Sequence, residues 1–379
     1  MSGADPVTDY AAHDSADSPR RLLIVLPSWV GDAVMATPTL RILRERLPGA
    51  FIGALARPGV DEVLAGTDFF DEIHVAPRSG MMGVKLAAAR VRTRRYDTAL
   101  LLTNSFSSAL VARMAWIRRR VGYERDARTV LLSKKLRPPI RRDTPPYSRS
   151  STNPRDWAPI PACEYYLRLA RLLLDDPSIT PGPLELVTTP EEEAAANAIL
   201  SRAGLDGDTP DAVILNPGGN NPAKRWPAAR FAEIGARLID RAGVNILVSG
   251  APAELELTQE ITRLICDRVR RDGARAAALP ELGLSLGALK SITRRCRLML
   301  TNDTGPRHIA AAFEVPVVTL FGPTDHRWTT IPFEHEAIIL ADPRLPEEEV
   351  ANDHPERCAI DNITVERVWD DVGRMMGVE

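Results

Sequence analysis

The sequence predicts an α/β protein of two domains, each built around a parallel sheet. Short apolar runs alternate with amphipathic stretches at helical spacing, the pattern of repeated βαβ units. The 379 residues, 44% of them hydrophobic, exceed one ordinary domain and suit two, at roughly 100–200 residues each. Midway, Thr180-Pro-Gly-Pro183 breaks the pattern, and a second series starts after it. Two such domains in tandem leave a cleft between them, at the strand ends where ligands commonly bind.

Residues 1–19 are polar and acidic, with neither a basic start nor an apolar core. They read as a disordered tail rather than a signal peptide. The first domain is expected over residues 20–183, with its first strand at 22–26. Ala36, Leu40, Leu43 and Leu47 follow at spacings of four, three and four, one face of a helix. Further strands are expected at 51–55, 73–75 and 98–103. Residues 137–161 are rich in Pro, Arg and Ser without periodicity, and are expected to form a long basic surface loop.

The second domain is expected over 184–360, with strands at 213–215, 246–248, 298–300, 317–320 and 337–340. A helix at 227–242 would bury Phe231, Ile234 and Leu238 and stop at Gly243. Residues 361–379 form a separate C-terminal element. Its helix, about 365–376, aligns Val365, Val368, Val372 and Met376 on one face and is free to pack back on the first domain.

A formal charge of −2 gives no reason to expect a nucleic-acid partner. The charge is uneven, however. Between Lys85 and Arg142, sixteen Lys and Arg stand against three acidic residues, so the first domain carries a basic region. Cys163, Cys266, Cys296 and Cys358 are far apart, which excludes a paired disulfide or zinc framework. No apolar run approaches the ~20 residues that span a bilayer. The expected setting is cytoplasmic, at most peripheral on the inner face of the membrane.

Four segments at strand ends carry possible chemistry. The first is Pro27-Ser-Trp-Val-Gly-Asp-Ala-Val-Met-Ala-Thr-Pro38. Asp32 there is either a helix N-cap, worth about 1 kcal/mol, or a general base that takes a proton from a sugar hydroxyl. The second is Asn216-Pro-Gly-Gly-Asn-Asn-Pro-Ala-Lys-Arg-Trp-Pro227. Gly218 and Gly219 permit close backbone approach to a ligand, and Lys224 adds positive charge beside a helix start. A solvated Lys-Arg pair is the plainer alternative. In the third, Asn302-Asp-Thr-Gly-Pro-Arg-His308, Thr304 and Gly305 would offer open amides to a phosphate. His308, one turn on, reads as a packed residue or a ligand contact. In the fourth, Glu254 after a strand end is either a ribose partner or an acidic first helical turn. Asp206-Gly-Asp208 resembles a metal–nucleotide motif but precedes a strand, at the wrong edge of the sheet. G-x-G-x-x-G, Walker A, G-x-S-x-G and H-E-x-x-H are absent.

Together these segments resemble glycosyltransferase family 9, the lipopolysaccharide heptosyltransferases. The matching pieces are Trp29 to Pro38, Arg120-Val-Gly-Tyr123 with Arg128 and Leu131-Leu132, Pro217-Gly218 with Ala223-Lys-Arg-Trp-Pro227, Asn302-Asp-Thr-Gly with His308, Phe321-Gly-Pro-Thr324, and Cys358. They run in family order across roughly residues 20–370. The resemblance implies the GT-B fold, two Rossmann-like domains facing across a cleft, with acceptor on the first and donor on the second. It implies inverting, metal-independent transfer of heptose from ADP-heptose to a lipid A-core acceptor at the inner membrane surface, with no cofactor. Asp32 would be the base and Lys224 would stabilise the donor phosphates. Gly218, Gly219, Asn220, Glu254, Asp303, Thr304, Gly305 and His308 would hold the donor, and Trp29 and Arg120 the acceptor. Two alternatives stay open: another nucleotide sugar used for a different surface glycan, and a non-catalytic nucleotide-sugar-binding protein.

Overall fold

The computed structural model describes residues 18–76, 80–140, 157–205, 211–271, 273 and 275–378. Most of the expected tail and of the 137–161 loop, and the Asp206-Gly-Asp208 motif, lie outside the described residues.

The first half contains β1 (Arg21–Val25), α1 (Val30–Met35), α2 (Thr37–Arg46), β2 (Phe51–Ala56), α3 (Val60–Val63), β3 (Glu72–Val75), α4 (Gly80–Arg92), β4 (Thr98–Leu101), α5 (Phe106–Met114), β5 (Arg119–Tyr123), β6 (Lys134–Leu136) and α6 (Ala162–Leu174). Its six strands are parallel, in the order β3-β2-β1-β4-β5-β6. Alternate residues of β1 bury on opposite faces. Leu22 and Ile24 join α1, α2 and α6, whereas Leu23 and Val25 join α4 and α5.

The single helix expected after β1 is two helices, because Pro38 has no N–H for the Val34 carbonyl. The Thr37 hydroxyl donates to that carbonyl instead, at 2.7 Å. The sequence reading also missed β5 and β6. The first opens with two arginines, and the second is a three-residue edge strand with two lysines, a common guard against edge pairing.

The second half repeats the plan with α7 (Pro190–Arg202), β7 (Ala212–Asn216), α8 (Ala228–Ala242), β8 (Asn245–Val248), α9 (Leu255–Cys266), β9 (Ala276–Ala278), α10 (Leu286–Arg294), β10 (Leu298–Asn302), α11 (Gly305–Ala312), β11 (Val317–Phe321), β12 (Glu336–Leu340) and α12 (Val365–Met376). Its parallel order is β12-β11-β10-β7-β8-β9. The missed strand, β9, is three alanines, a residue depleted in strands. Gly243 ends α8 in the left-handed conformation, as expected.

The C-terminal helix does not pack back on the first half. Val365, Val368, Val372 and Met376 instead enter the core formed by β7, β10 and α8. The apolar stripe was read correctly and its partner was not: the nearest open face belongs to the second sheet. Among the described residues no helix is long and apolar enough to cross a membrane.

In both sheets the strand order reverses beside the first strand, between β1 and β4 and between β7 and β10. Ligands favour such switch points. The two halves meet through α1 against α11 and α3 against α10. The second contact is pinned by Lys290, whose side chain is fully buried. Its ammonium pairs with Glu192 at 2.9 Å and donates to the Val63 and Ala65 carbonyls, at 3.2 and 3.1 Å, at the C-terminal end of α3. Glu62 of α3 answers by accepting from the Gly287 amide at 3.0 Å. Lys290→Met should leave the Glu192 carboxylate buried and unpaired, costing about 3–5 kcal/mol in a urea unfolding curve. A loss below about 1 kcal/mol would show that this strut contributes little.

Candidate active site

Asp32 does not cap its helix. Trp29 holds the N-cap position of α1 without a side-chain bond, and Asp32 lies in the first turn. The Asp32 carboxylate instead accepts from the Tyr166 hydroxyl of α6, at 3.3 Å. The cap reading is therefore replaced, because the turn at Ser28-Trp29 starts the helix early enough to put Asp32 inside it. Trp29 stands 63% exposed at the lip of the same loop.

In the second half, three strand-end loops are sewn together by buried amides and hydroxyls. Asn216 donates to the Thr301 and Thr304 hydroxyls, at 3.0 and 2.9 Å, and accepts from Ser249 at 2.9 Å. Asn302 donates to the Pro217 carbonyl at 2.7 Å. These bonds fix the Gly218-Gly219 turn against the start of α11. A Cβ on Gly218 would lie 2.2 Å from a Glu254 carboxylate oxygen, so a larger residue there would have to displace that carboxylate. Glu254 itself buttresses the turn, accepting from the Gly219 amide and the Ala251 amide at 2.8 Å each. A ribose contact would use the lone pairs that these bonds leave. Asn220 is exposed at the tip of the turn.

Thr304 is the N-cap of α11 in extended conformation, and its side chain does not cap the helix. The first-turn amides therefore keep their outward positive potential. Lys224 lies beside them, its ammonium 2.9 Å from Asp303. Asp303 also accepts from Thr324 and Thr329, at 3.2 and 3.3 Å. Burial pushes the Asp303 carboxyl up, but Lys224 and then Arg307 outweigh it and hold it below the usual carboxylate range.

The two halves converge at one place. A Cβ on Gly31 would sit 2.7 Å from the His308 ring and 3.2 Å from the Gly305 Cα, so α1 and α11 touch through glycine. His308 is buried in that contact, and burial, then Arg307, pushes its pKa down to about 3, which keeps the ring neutral. The charges interact across the same gap. Burial raises the Asp32 carboxyl above the usual range, the Tyr166 hydrogen bond opposes it, Asp303 raises it further, and Lys224 lowers it. A partly desolvated carboxylate facing a cation and open amides can accept a proton on one side of a ligand while negative charge is stabilised on the other.

Arg120 is not part of this arrangement. It sits near the N-terminal end of β5, the edge away from the cleft, with its guanidinium donating to the Leu131, Ile117 and Arg118 carbonyls. Its expected acceptor role is corrected by strand direction: in a parallel sheet only the other edge opens on the site. Sequence reasoning missed Tyr166, whose partner lies 134 residues away, and Arg307. Arg307 is fully buried, forks onto Glu336 with one arm at 2.8 Å, and lies 3.8 Å from Asp303.

A model of glycosyltransferase family 9 (heptosyltransferase) matches residues 85–359. The chain is 28% identical over 331 residues to lipopolysaccharide heptosyltransferase 2 of Salmonella typhimurium (strain LT2), covering 84% of this chain and 87% of that relative. It superposes on the structure of E. coli ADP-heptose LPS heptosyltransferase II with a TM-score of 0.70 at 26% identity, over 94% of this chain and 98% of the other. A family 9 glycosyl transferase from Veillonella parvula DSM 2008 shares the fold at a TM-score of 0.75 and 21% identity, over 95% and 98% of the two chains. The expected GT-B architecture of two facing Rossmann-like sheets is thus the observed one, and the protein belongs to glycosyltransferase family 9, the heptosyltransferases.

Proposed function

We propose that this glycosyltransferase moves heptose, with inversion, from ADP-heptose to an anionic inner-core acceptor of lipopolysaccharide. The observation that carries the reading is the meeting of Asp32 with Lys224, Asp303 and the start of α11 across one gap. Asp32 takes the proton of the acceptor hydroxyl while that oxygen forms a bond to the anomeric carbon. The bond from that carbon to the diphosphate oxygen breaks, and its electron pair leaves with ADP. Lys224 and the Thr304 and Gly305 amides stabilise the charge that develops there. Gly218, Gly219 and Asn220 let the donor approach the backbone, Glu254 serves the ribose, and Asp303 holds Lys224 in register. His308, neutral, fills the wall behind the reacting centre. The Salmonella relative and the superposed E. coli protein are both heptosyltransferases, which supports heptose as the transferred sugar.

The acceptor side is the first half, and its chemistry suits an anionic lipid-linked sugar. Arg128 is fully buried and braces the strand ends beneath this face, donating to the Tyr123 carbonyl at 3.0 Å, to the Thr103 carbonyl and to the Asn104 side chain at 3.3 Å. The helix starts after β1, β3 and β4 line the same edge as Asp32. They expose Trp29, Met81, Met82 and Phe106, beside the exposed Arg57 and Lys85. Apolar side chains mixed with cations fit the headgroup boundary of an anionic membrane, which suits an acceptor sugar entering at the mouth of the cleft.

Asp32→Asn keeps the shape of the carboxylate but cannot take a proton. Its turnover with ADP-heptose and a core acceptor should fall by roughly 10²–10⁴ at an unchanged melting temperature. Full activity in that variant would remove the base. Because burial raises the Asp32 carboxyl, the acid limb of the wild-type pH–rate profile should lie above the ordinary 3.8. Lys224→Ala should lower kcat/KM for the donor by roughly 10²-fold. Calorimetric titration should rank ADP above UDP and GDP, and a preference for UDP would exclude ADP-heptose. Met81→Ser combined with Met82→Ser and with Leu86→Ser, the last also exposed further along α4, should weaken sedimentation with phosphatidylglycerol vesicles by roughly tenfold. Unaltered sedimentation would remove the membrane-facing rim.

A further inference from the structure

We infer that Tyr166 is a positioning residue for the transfer: its hydroxyl ties one carboxylate oxygen of Asp32, leaving the other to face the acceptor hydroxyl. The inference rests on the reading of Asp32 as the base and adds to it a residue that no local motif marks.

Three features carry it. The first is the bond itself. Tyr166 reaches Asp32 Oδ1 from α6 at 3.3 Å, and no cap bond to α1 competes for that carboxylate. An aspartate on the first turn of a helix chooses among staggered χ1 rotamers and has a broad χ2, so the plane of its carboxylate is set by what it bonds. A phenol that can only donate to an ionised carboxylate fixes the plane of the group and the identity of its free oxygen.

The second feature is the rigidity of the donor. Tyr166 is buried, and the residue before it is clamped: Tyr165 stacks on Tyr123 with ring centroids 3.8 Å apart and 15° between planes. The Tyr123 hydroxyl donates to the Tyr165 carbonyl at 2.8 Å, and the Tyr165 hydroxyl donates to Asn104 at 3.1 Å. The first turn of α6 is therefore held at both backbone and side chain. Tyr166 has little room to follow Asp32 if the carboxylate turns away. A loose base loses rate steeply, because proton transfer needs donor and acceptor at hydrogen-bond distance when the oxygen attacks.

The third is the electrostatic setting. Facing Asp32 are Tyr166 and Cys163 from α6, Asp303 and His308 at α11, Arg307 behind them, and Lys224 from the second-half turn. On the other helices against α1, Arg41 of α2 is engaged by Glu185 and Glu62 of α3 by the Gly287 amide, while α3 also carries Asp61. Burial and Asp303 both favour the protonated form of Asp32, whereas Tyr166 and Lys224 favour the ionised form. Donor phosphates would draw on the charge of Lys224, which leaves the phenol as the remaining support for an ionised base.

The test uses the full-length enzyme with ADP-heptose and a water-soluble core acceptor. Tyr166→Phe keeps the buried ring and removes only the donor. The expected result is a kcat about tenfold lower, a donor KM within about twofold, and an acid limb displaced upward by roughly half a pH unit or more. Replacing Tyr166 by 3-fluorotyrosine strengthens the donor and should move the limb downward, which covers the case of a Phe variant too slow to profile. Limbs that stay in place in both variants, with kcat within twofold, overturn the positioning role. If Asp32→Asn is inactive while these limbs stay in place, only Tyr166 is dismissed. If Asp32→Asn is fully active, the base itself is dismissed.

Discussion

Two helix starts, one from each sheet, touch through glycine on both sides, and the site follows from that contact. Gly31 and Gly305 have no side chains to hold α1 and α11 apart, and a single methyl on Gly31 would collide with His308. Because each helix begins at the switch point of its own sheet, the contact brings the ligand-binding edges of both halves to one gap. Helix starts also carry positive potential, which the chain balances with Asp32 on one side and Asp303 on the other. The Lys290 strut beside α3 fixes a second point of contact, so the two halves are held by a glycine seam and a buried cation together.

Charge at the gap is arranged as opposed pairs. Lys224 and Arg307 keep Asp303 ionised despite its burial, whereas burial and then Asp303 push Asp32 toward its neutral form against the Tyr166 hydrogen bond. Two carboxyls with environments that drive them apart suggest a division of labour. In the proposed mechanism one anchors a cation for the leaving group, and the other exchanges a proton with the incoming hydroxyl. His308 contributes shape rather than charge, since its burial keeps it neutral across any working pH.

The fold was legible where pattern is local. Apolar runs such as 213–215 and 317–320 become buried parallel strands, and the stripe of Val365, Val368, Val372 and Met376 becomes α12. Strands without a run of bulky apolar residues were invisible: β9 is three alanines, and β5 opens with two arginines. The strand-end turns were legible at Gly218 and Gly305, because a turn or close approach leaves a glycine signature. Roles set by distant partners were not. Nothing near Asp32 announces Tyr166, nothing near Glu254 shows that it supports Gly219, and Arg120 looked available until the direction of β5 placed it at the far edge.

A crystal structure of the enzyme with a non-transferable fluorinated ADP-heptose analogue would bear most directly on the convergence of the two halves. The diphosphate should lie within about 3 Å of the Lys224 ammonium and the first amides of α11. The anomeric carbon should face Asp32 with room for one hydroxyl oxygen between them, roughly 5–6 Å from the carboxylate. A nucleotide seated outside the gap, or an anomeric carbon turned away from Asp32, would contradict the mechanism.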